Sequence, residues 1–248
     1  MRRSTRRTLL GMAMAVALGV GLTACGHSQA SGNAGDIVLG QGADHLPNQT
    51  ASDWVTYADH VVVVSATGER EIAPAAQEVE RGEGTVGRTV TLSVDKVLWS
   101  RSDARRPAPD VWEYSAMGWQ FLDGDTEKRT KMALVDQPRV ELGHRYVMAI
   151  TWEEAACSPG DAAEPAQWRG LGEGSELPFD GGVIGQGELE GRPRTAAQAR
   201  STREAGDDAG LEDQLAGRGE EALIQALEAA QPREPEAFGP TRPRLNCD

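Results

Sequence analysis

The sequence predicts a mainly β fold: a small β-barrel, preceded by a flexible tether and followed by short C-terminal helices. Three observations carry that prediction. Several short segments alternate apolar and polar residues with a period of two, the pattern of half-buried strands. Leucines at helical spacing (Leu211, Leu215, Leu223, Leu227) come late in the chain. Gly (29) and Pro (13) are plentiful, and hydrophobic residues make up only 39% of the 248 residues, which implies a modest core with long loops.

The chain opens with a leader over residues 1–24. Arg2, Arg3, Arg6 and Arg7 give it a positive start, and Leu9 to Leu22 is an apolar stretch of 14 residues. Crossing a bilayer takes about 20 apolar residues, so the stretch is too short to span and has the length of a secretion-signal core. Then comes Leu22-Thr23-Ala24-Cys25-Gly26, which resembles the bacterial lipobox. That resemblance implies cleavage between Ala24 and Cys25, a diacylglyceryl group on the Cys25 sulfur, and an acyl chain such as palmitate on the new amino terminus. Two or more chains, at about 0.8 kcal/mol per buried CH₂, make a stable anchor where one does not. The expected address is the extracytoplasmic face of the cell membrane. Thr5-Arg6-Arg7-Thr8-Leu9-Leu10 also resembles a twin-arginine export motif, and the leader fits both that route and the general secretion route.

Residues 25–53 read as the tether. Gly26 to Ser52 is rich in Gly, Ala, Ser, Asn and Gln around one apolar island, Ile37-Val38-Leu39. A flexible segment of that length reaches about 30 Å. Asn48-Gln49-Thr50 has the form of a glycosylation sequon, which in a bacterial lipoprotein is coincidence.

The β domain is expected over residues 54–191. His60 to Thr67 contains Val61-Val62-Val63-Val64, a β-branched run that predicts a buried strand. Glu71 to Gly87 reads as a loop. Val90, Leu92 and Val94 alternate with Thr91 and Ser93, and the alternation breaks at Val97-Leu98-Trp99, where a bulge is expected. Val111 to Ala116 is a third strand, and Gly118 and Gly124 mark turns. Tyr146, Met148, Ile150 and Trp152 make the clearest alternation, and Gly182 to Leu189 a weaker strand. Residues 192–231 read as helical: Thr195 to Arg203 is Ala-rich, and Gly217 and Gly219 split the later leucines into two short helices, the second stopped by Pro232. Residues 232–248 form a Pro-rich tail.

The chain has three cysteines. With Cys25 lipidated, Cys157 and Cys247 are left, and outside the cytoplasm such a pair is expected to form a disulfide. It would close a loop of about 90 residues, worth about 4–5 kcal/mol in the loop-entropy model. Two free thiols are the alternative, and titrating thiols in the denatured, unreduced protein separates the two.

Short strands, a bulged long strand and late helices suggest a closed or nearly closed barrel. Three segments add a resemblance: Ala58-Asp59-His60 with Val61 to Val64, then Val90 to Trp99, then Gly143-His144-Arg145-Tyr146-Val147-Met148-Ala149. Their order and spacing resemble netrin-like (TIMP-like) OB-fold modules, which implies an OB-like barrel. The cysteine framework of those modules and their N-terminal Cys are missing, so an inhibitory or metal-chelating role does not carry over. The whole chain also resembles a group of actinobacterial lipoproteins, which adds an address and no activity.

The formal net charge is −13, and a leader with four arginines and no acid takes it to −17 on removal. So acidic a domain is repelled by phosphate backbones, which excludes nucleic acid as a partner. The membrane is then reached through the lipid anchor. Gly172-Glu173-Gly174-Ser175 does not complete a nucleophile elbow, and Gly185-Gln186-Gly187 lacks the dinucleotide-binding spacing, so both read as turns. Asp123, Asp125 and Glu127 start like a calcium loop, but Lys128 and Leu134 stand at positions that require Gly and Glu, which leaves a solvated hairpin tip. His60 and His144 each begin a strand, and a meeting with Asp59 or Glu141 would make a metal or proton-transfer site. Trp99, Trp112, Trp119 and Trp152 read as core, while Trp168 lies among Pro, Ala and acids, as a surface anchor or folded onto the barrel.

The expected function is a membrane-anchored, non-enzymatic binding or structural module, with a protein or small-molecule ligand and no cofactor or metal. The alternative is an extracytoplasmic hydrolase or metal-dependent enzyme built on His60 and His144. A transporter's solute-binding lipoprotein shares the leader, but the chain is short for two α/β lobes and shows no repeated βα units.

Overall fold

The computed structural model describes residues 37–42, 44, 46–157, 163–202 and 209–235. Cys25, Cys247, the leader and most of the Pro-rich tail lie outside the described residues, and so does the lipidation and cleavage site. The fold is mainly β, with a mixed sheet and short helices.

The run from the start of the described chain is β1 (Ile37–Gly40), α1 (Ala51–Tyr57), β2 (His60–Ile72), α2 (Ala76–Arg81), β3 (Gly84–Ser100), β4 (Val111–Phe121), β5 (Arg129–Leu134) and β6 (Arg145–Glu153). After these come β7 (Gln167–Gly170), β8 (Glu176–Pro178), β9 (Gly187–Leu189) and β10 (Arg192–Arg194), then α3 (Ala196–Thr202), α4 (Leu211–Leu215) and α5 (Glu220–Ala229). Among the described residues eight strands form one sheet in the order β1-β5-β4-β3-β2-β6-β7, with β8 beside β6, and β9 and β10 pair separately. The pairs are antiparallel except β1 with β5, which run parallel. β2 to β5 form a meander, and β6 then crosses back to the free side of β2.

The valine run of β2 is apolar throughout because both faces of that strand are covered. Val61 and Val63 face a core shared with Trp54, Leu211, Leu215, Leu223 and Leu227 of α1, α4 and α5. Val62, Val64 and Ala66 face a second core with Val90, Leu92, Trp112, Tyr146, Met148 and Ile150. β6 divides its residues the same way, with Val147 and Ala149 on the helical side. The expected bulge falls in place: Val61 pairs with Trp99 and Val62 with Val97, leaving Leu98 extra, and a second shift leaves Asp95 extra.

The structure revises the expected boundaries. Ile37–Gly40, expected within the tether, is a sheet strand, because its backbone finds a free edge on β5. α1 begins at Ala51 behind a capping box in which Thr50 and Asp53 bond each other's backbone N–H. The expected loop after Glu71 contains α2, and residues after Gly191 begin with β10 before turning helical. α3, α4 and α5 match the expected short helices, with Gly217 in a left-handed conformation (φ 82°) between the last two.

The sheet curves enough to bring β4 against β7, although β3, β2 and β6 separate them in the ladder. Trp112 of β4 donates from Nε1 to the Trp168 carbonyl of β7 at 3.0 Å. Tyr114 of β4 donates to Glu176 of β8 at 2.6 Å. Side chains, and no backbone ladder among the described residues, join these strands.

Candidate binding cleft

Where β4 meets β7 and β8, a cavity of about 380 Å³ opens. Alternation along β4 sends Trp112 and Tyr114 to the same face, their rings edge to face at 5.3 Å. Trp168 lines the other side, its ring braced edge-on by Trp152 at 5.4 Å and tilted against His60 at 5.4 Å. It is therefore folded onto the sheet as part of a wall. Gly170 permits the close approach: a Cβ there would lie 3.2 Å from Glu176 Oε1 and 3.9 Å from the Trp112 ring. The lining is completed by Gln137 and Arg139 of the loop after β5, by Gly42 and Asp44 of the loop before α1, and by Gly172 and Glu173 of the turn before β8.

That turn, Gly172-Glu173-Gly174-Ser175, is pinned by the loop before α1. Asp44 accepts from the Glu173 N–H at 2.8 Å, and Asn48 accepts from the Gly174 N–H at 3.1 Å. Asn48 is 1% exposed, and its carbonyl accepts from Trp54 Nε1 at 2.7 Å. The residue heading the sequon-like triplet is thus a buried structural clamp. Gly172 takes φ 136° between the Asp44 and Asn48 side chains, a position where any Cβ would collide with both.

The polar groups of the wall include four carboxyls, Asp44, Glu113, Glu173 and Glu176. Glu176 is 8% exposed. Burial pushes its carboxyl up to about 8, only partly offset by the Tyr114 hydrogen bond and reinforced by Asp44, Glu188 and Glu173. Burial also raises Glu173, with Asp44 adding to it. Burial and then Glu176 raise the Tyr114 hydroxyl well above the usual phenol range. Glu173 Oε1 and Gln137 Oε1 are buried with no hydrogen-bond partner among the described residues. Gln137, Glu173 and Glu176 also border a second cavity of about 430 Å³.

The two arginines of the lining are paired within the protein. Arg139 is 1% exposed. Its guanidinium donates to the Met132 carbonyl at 2.9 Å, to Glu141 at 2.6 Å and to the Gly118 carbonyl at 2.9 Å. Arg169 pairs with Glu153 at 2.5 Å. Trp119, expected in the core, is instead bracketed by the guanidinium groups of Arg129, Arg139 and Arg88 at 4.4, 5.0 and 5.8 Å.

The two histidines are not brought together. His60 pairs with Ile150, while the His144 carbonyl accepts from Ala66 N. Six residues of strand, roughly 20 Å at about 3.3 Å each, separate them. His60 is 4% exposed and held by Ser100 Oγ and the Arg106 carbonyl, both at 2.8 Å. The His144 ring meets Asp180 at 2.6 Å, and only the His144 backbone N–H reaches Glu141, at its carbonyl (3.4 Å). Asp59 is used by Trp152 N at 2.7 Å, and Glu141 by Arg139 and Lys131. Among the described residues no three His, Cys, Asp or Glu side chains converge on a metal position.

The hairpin-tip reading of Asp123 to Glu127 fits a turn in which Asp125 caps Glu127 N and pairs with Lys128. Gly185 takes positive φ (79°) in a turn, as expected, whereas Gly187 (φ 137°) opens β9. Cys157 follows β6, and its expected partner Cys247 lies outside the described residues. No helix among the described residues is long and apolar enough to cross a membrane. No protein-family model, curated protein or solved structure matches the chain.

Proposed function

We propose that this chain is an exported lipoprotein, cleaved after Ala24 and anchored through Cys25 to the extracytoplasmic face of the cell membrane, whose OB-like β domain binds a small organic ligand without transforming it. The single observation that carries the binding role is the cleft between β4 and β7–β8, an aromatic-walled cavity of about 380 Å³ with carboxyl groups in its lining. Its size falls within the range of small-molecule sites. Support for the anchor is the order of charge, apolar core and lipobox over residues 2–25. Support for the OB-like barrel is the bulged β2–β3 pair and the side-chain contacts of β4 with β7 and β8. A Cys157–Cys247 disulfide belongs to the same reading, since the exported compartment favours it.

Two measurements test the proposal. The intact mass of protein extracted from membranes is expected to show an amino-terminal Cys25 carrying diacylglyceryl, with Cys25→Ser leaving an unlipidated product. An unmodified Cys25 in the native protein overturns the anchor. For the cleft, NMR titration with benzamide is expected to shift the Trp112 and Trp168 signals, and Gly170→Leu, which fills the space between Trp112 and Glu176, is expected to abolish the shift.

A further inference from the structure

We infer that the cleft takes an organic cation bearing N–H donors, an amidinium or ammonium head on a flat or apolar body, with the head toward the carboxyl groups of Glu173 and Glu176. The inference rests on the cleft being a binding site, and goes further by assigning the chemistry of its occupant.

A ligand must supply what a wall lacks. Glu173 and Gln137 belong to the lining, and each holds a buried side-chain oxygen with no hydrogen-bond partner among the described residues. Glu176 presents a third acceptor group, joined to the protein through the Tyr114 hydroxyl. Asp44 adds negative charge beside Glu173. The charged donors of the same wall are paired within the protein, Arg139 with Met132, Glu141 and Gly118 and Arg169 with Glu153, and Trp112 Nε1 is spent on Trp168. A carboxylate or phosphate would be opposed by the carboxyl groups of Asp44, Glu113, Glu173 and Glu176. A neutral amide or alcohol would satisfy one or two acceptors. A cation with several N–H groups also complements the charge of Asp44, Glu173 and Glu176, and Trp112, Tyr114 and Trp168 offer π faces and edges for its body.

The neighbours of Glu176 fix how binding responds to pH. Tyr114 faces it from β4, Asp44 from the loop before α1, Glu173 from the turn before β8 and Glu188 from β9. Arg139 and Arg169 line the cleft with their charges paired to Glu141 and Glu153. A bound cation favours the ionised form of Glu176, which passes its proton to solvent. Affinity for a cation is therefore expected to rise as pH increases from 6 to 9, by about tenfold or more.

The test uses the mature protein and three probes of one shape: benzamidinium, benzamide and benzoate, followed by calorimetry and by NMR of the tryptophan side chains. Benzamidinium is expected to bind at least about tenfold tighter than either isostere, with the pH dependence above. In Glu176→Gln the preference and the pH dependence are expected to shrink together, and in Glu173→Gln, at a less buried position, the preference falls with the fold intact. Benzamide or benzoate binding as tightly as benzamidinium overturns the cation while leaving the cleft a binding site. Failure of all three probes to shift Trp112 and Trp168 overturns the cleft itself.

Discussion

Val140 carries the clearest local strain. It is β-branched, fully buried, and held at φ +63°, a conformation costing a residue with a Cβ about 1–2 kcal/mol. What over-determines it is the Glu188 carboxylate, 2% exposed, which accepts from the N–H groups of Arg139, Val140 and Gly191 at 3.0, 3.0 and 2.5 Å and from the Tyr146 hydroxyl at 2.8 Å. The grip fixes the loop that carries Gln137 to the mouth of the cleft. Glycine adopts positive φ without penalty. Val140→Gly is therefore expected to be more stable than Val140→Ala by about 1 kcal/mol in urea unfolding, the reverse of the usual order. Equal stabilities would mean that Val140 does not hold this backbone in solution.

Among the elements, β3 shows how one extra residue re-aims a strand. With Leu98 bulged opposite Val61 and Val62, Leu98 enters the helical-side core at 9% exposure while Val97 stays 44% exposed. Leu98→Ala is expected to cost about 2–4 kcal/mol in chemical denaturation, and Val97→Ala no more than about 0.5 kcal/mol. This bulge was legible in the sequence because the alternation visibly failed at Val97-Leu98-Trp99. β2, β6, α4 and α5 were legible for similar reasons: a β-branched run, a period of two, and leucines at helical spacing. β1, β7 and β8 were not, because strands of three or four residues have no periodicity to read and exist through the edge they pair with. The cleft was hidden for the same cause. Trp112, Gln137, Trp168 and Glu176 are far apart in sequence, and only the curvature of the sheet assembles them. The one signal was Trp168, an aromatic among Pro, Ala and acids, whose two readings the sequence left open. The histidines carried the opposite error, since both head strands that run antiparallel, which places them at opposite ends.

For the whole molecule, Glu176 couples stability to pH. Its carboxyl titrates at about 8 in the fold against an ordinary 4.5. Between those values the folded protein holds a proton that the unfolded chain has released, so this group's contribution falls as pH rises from 4.5 to 8 and then levels off. Glu176→Gln has no such proton to lose. Thermal melts are expected to show it equal to the parent at pH 5 and more stable at pH 9 by at least ~1 kcal/mol, or ~2–4 °C. A gain that is the same at both pH values would refute the buried, protonated carboxyl.

The two faces of β2 and β6 have a further bearing on how the domain comes apart. Each strand is a party wall, with α1, α4 and α5 leaning on one side and the aromatic interior behind the cleft on the other. Stripping the helices bares Val61, Val63, Val147 and Ala149, and the same backbone then loses the rigidity that keeps Val62, Tyr146 and Met148 in register. Neither compartment can be demolished alone, so the layers share a single unfolding event and the cleft is underwritten by helices that do not line it.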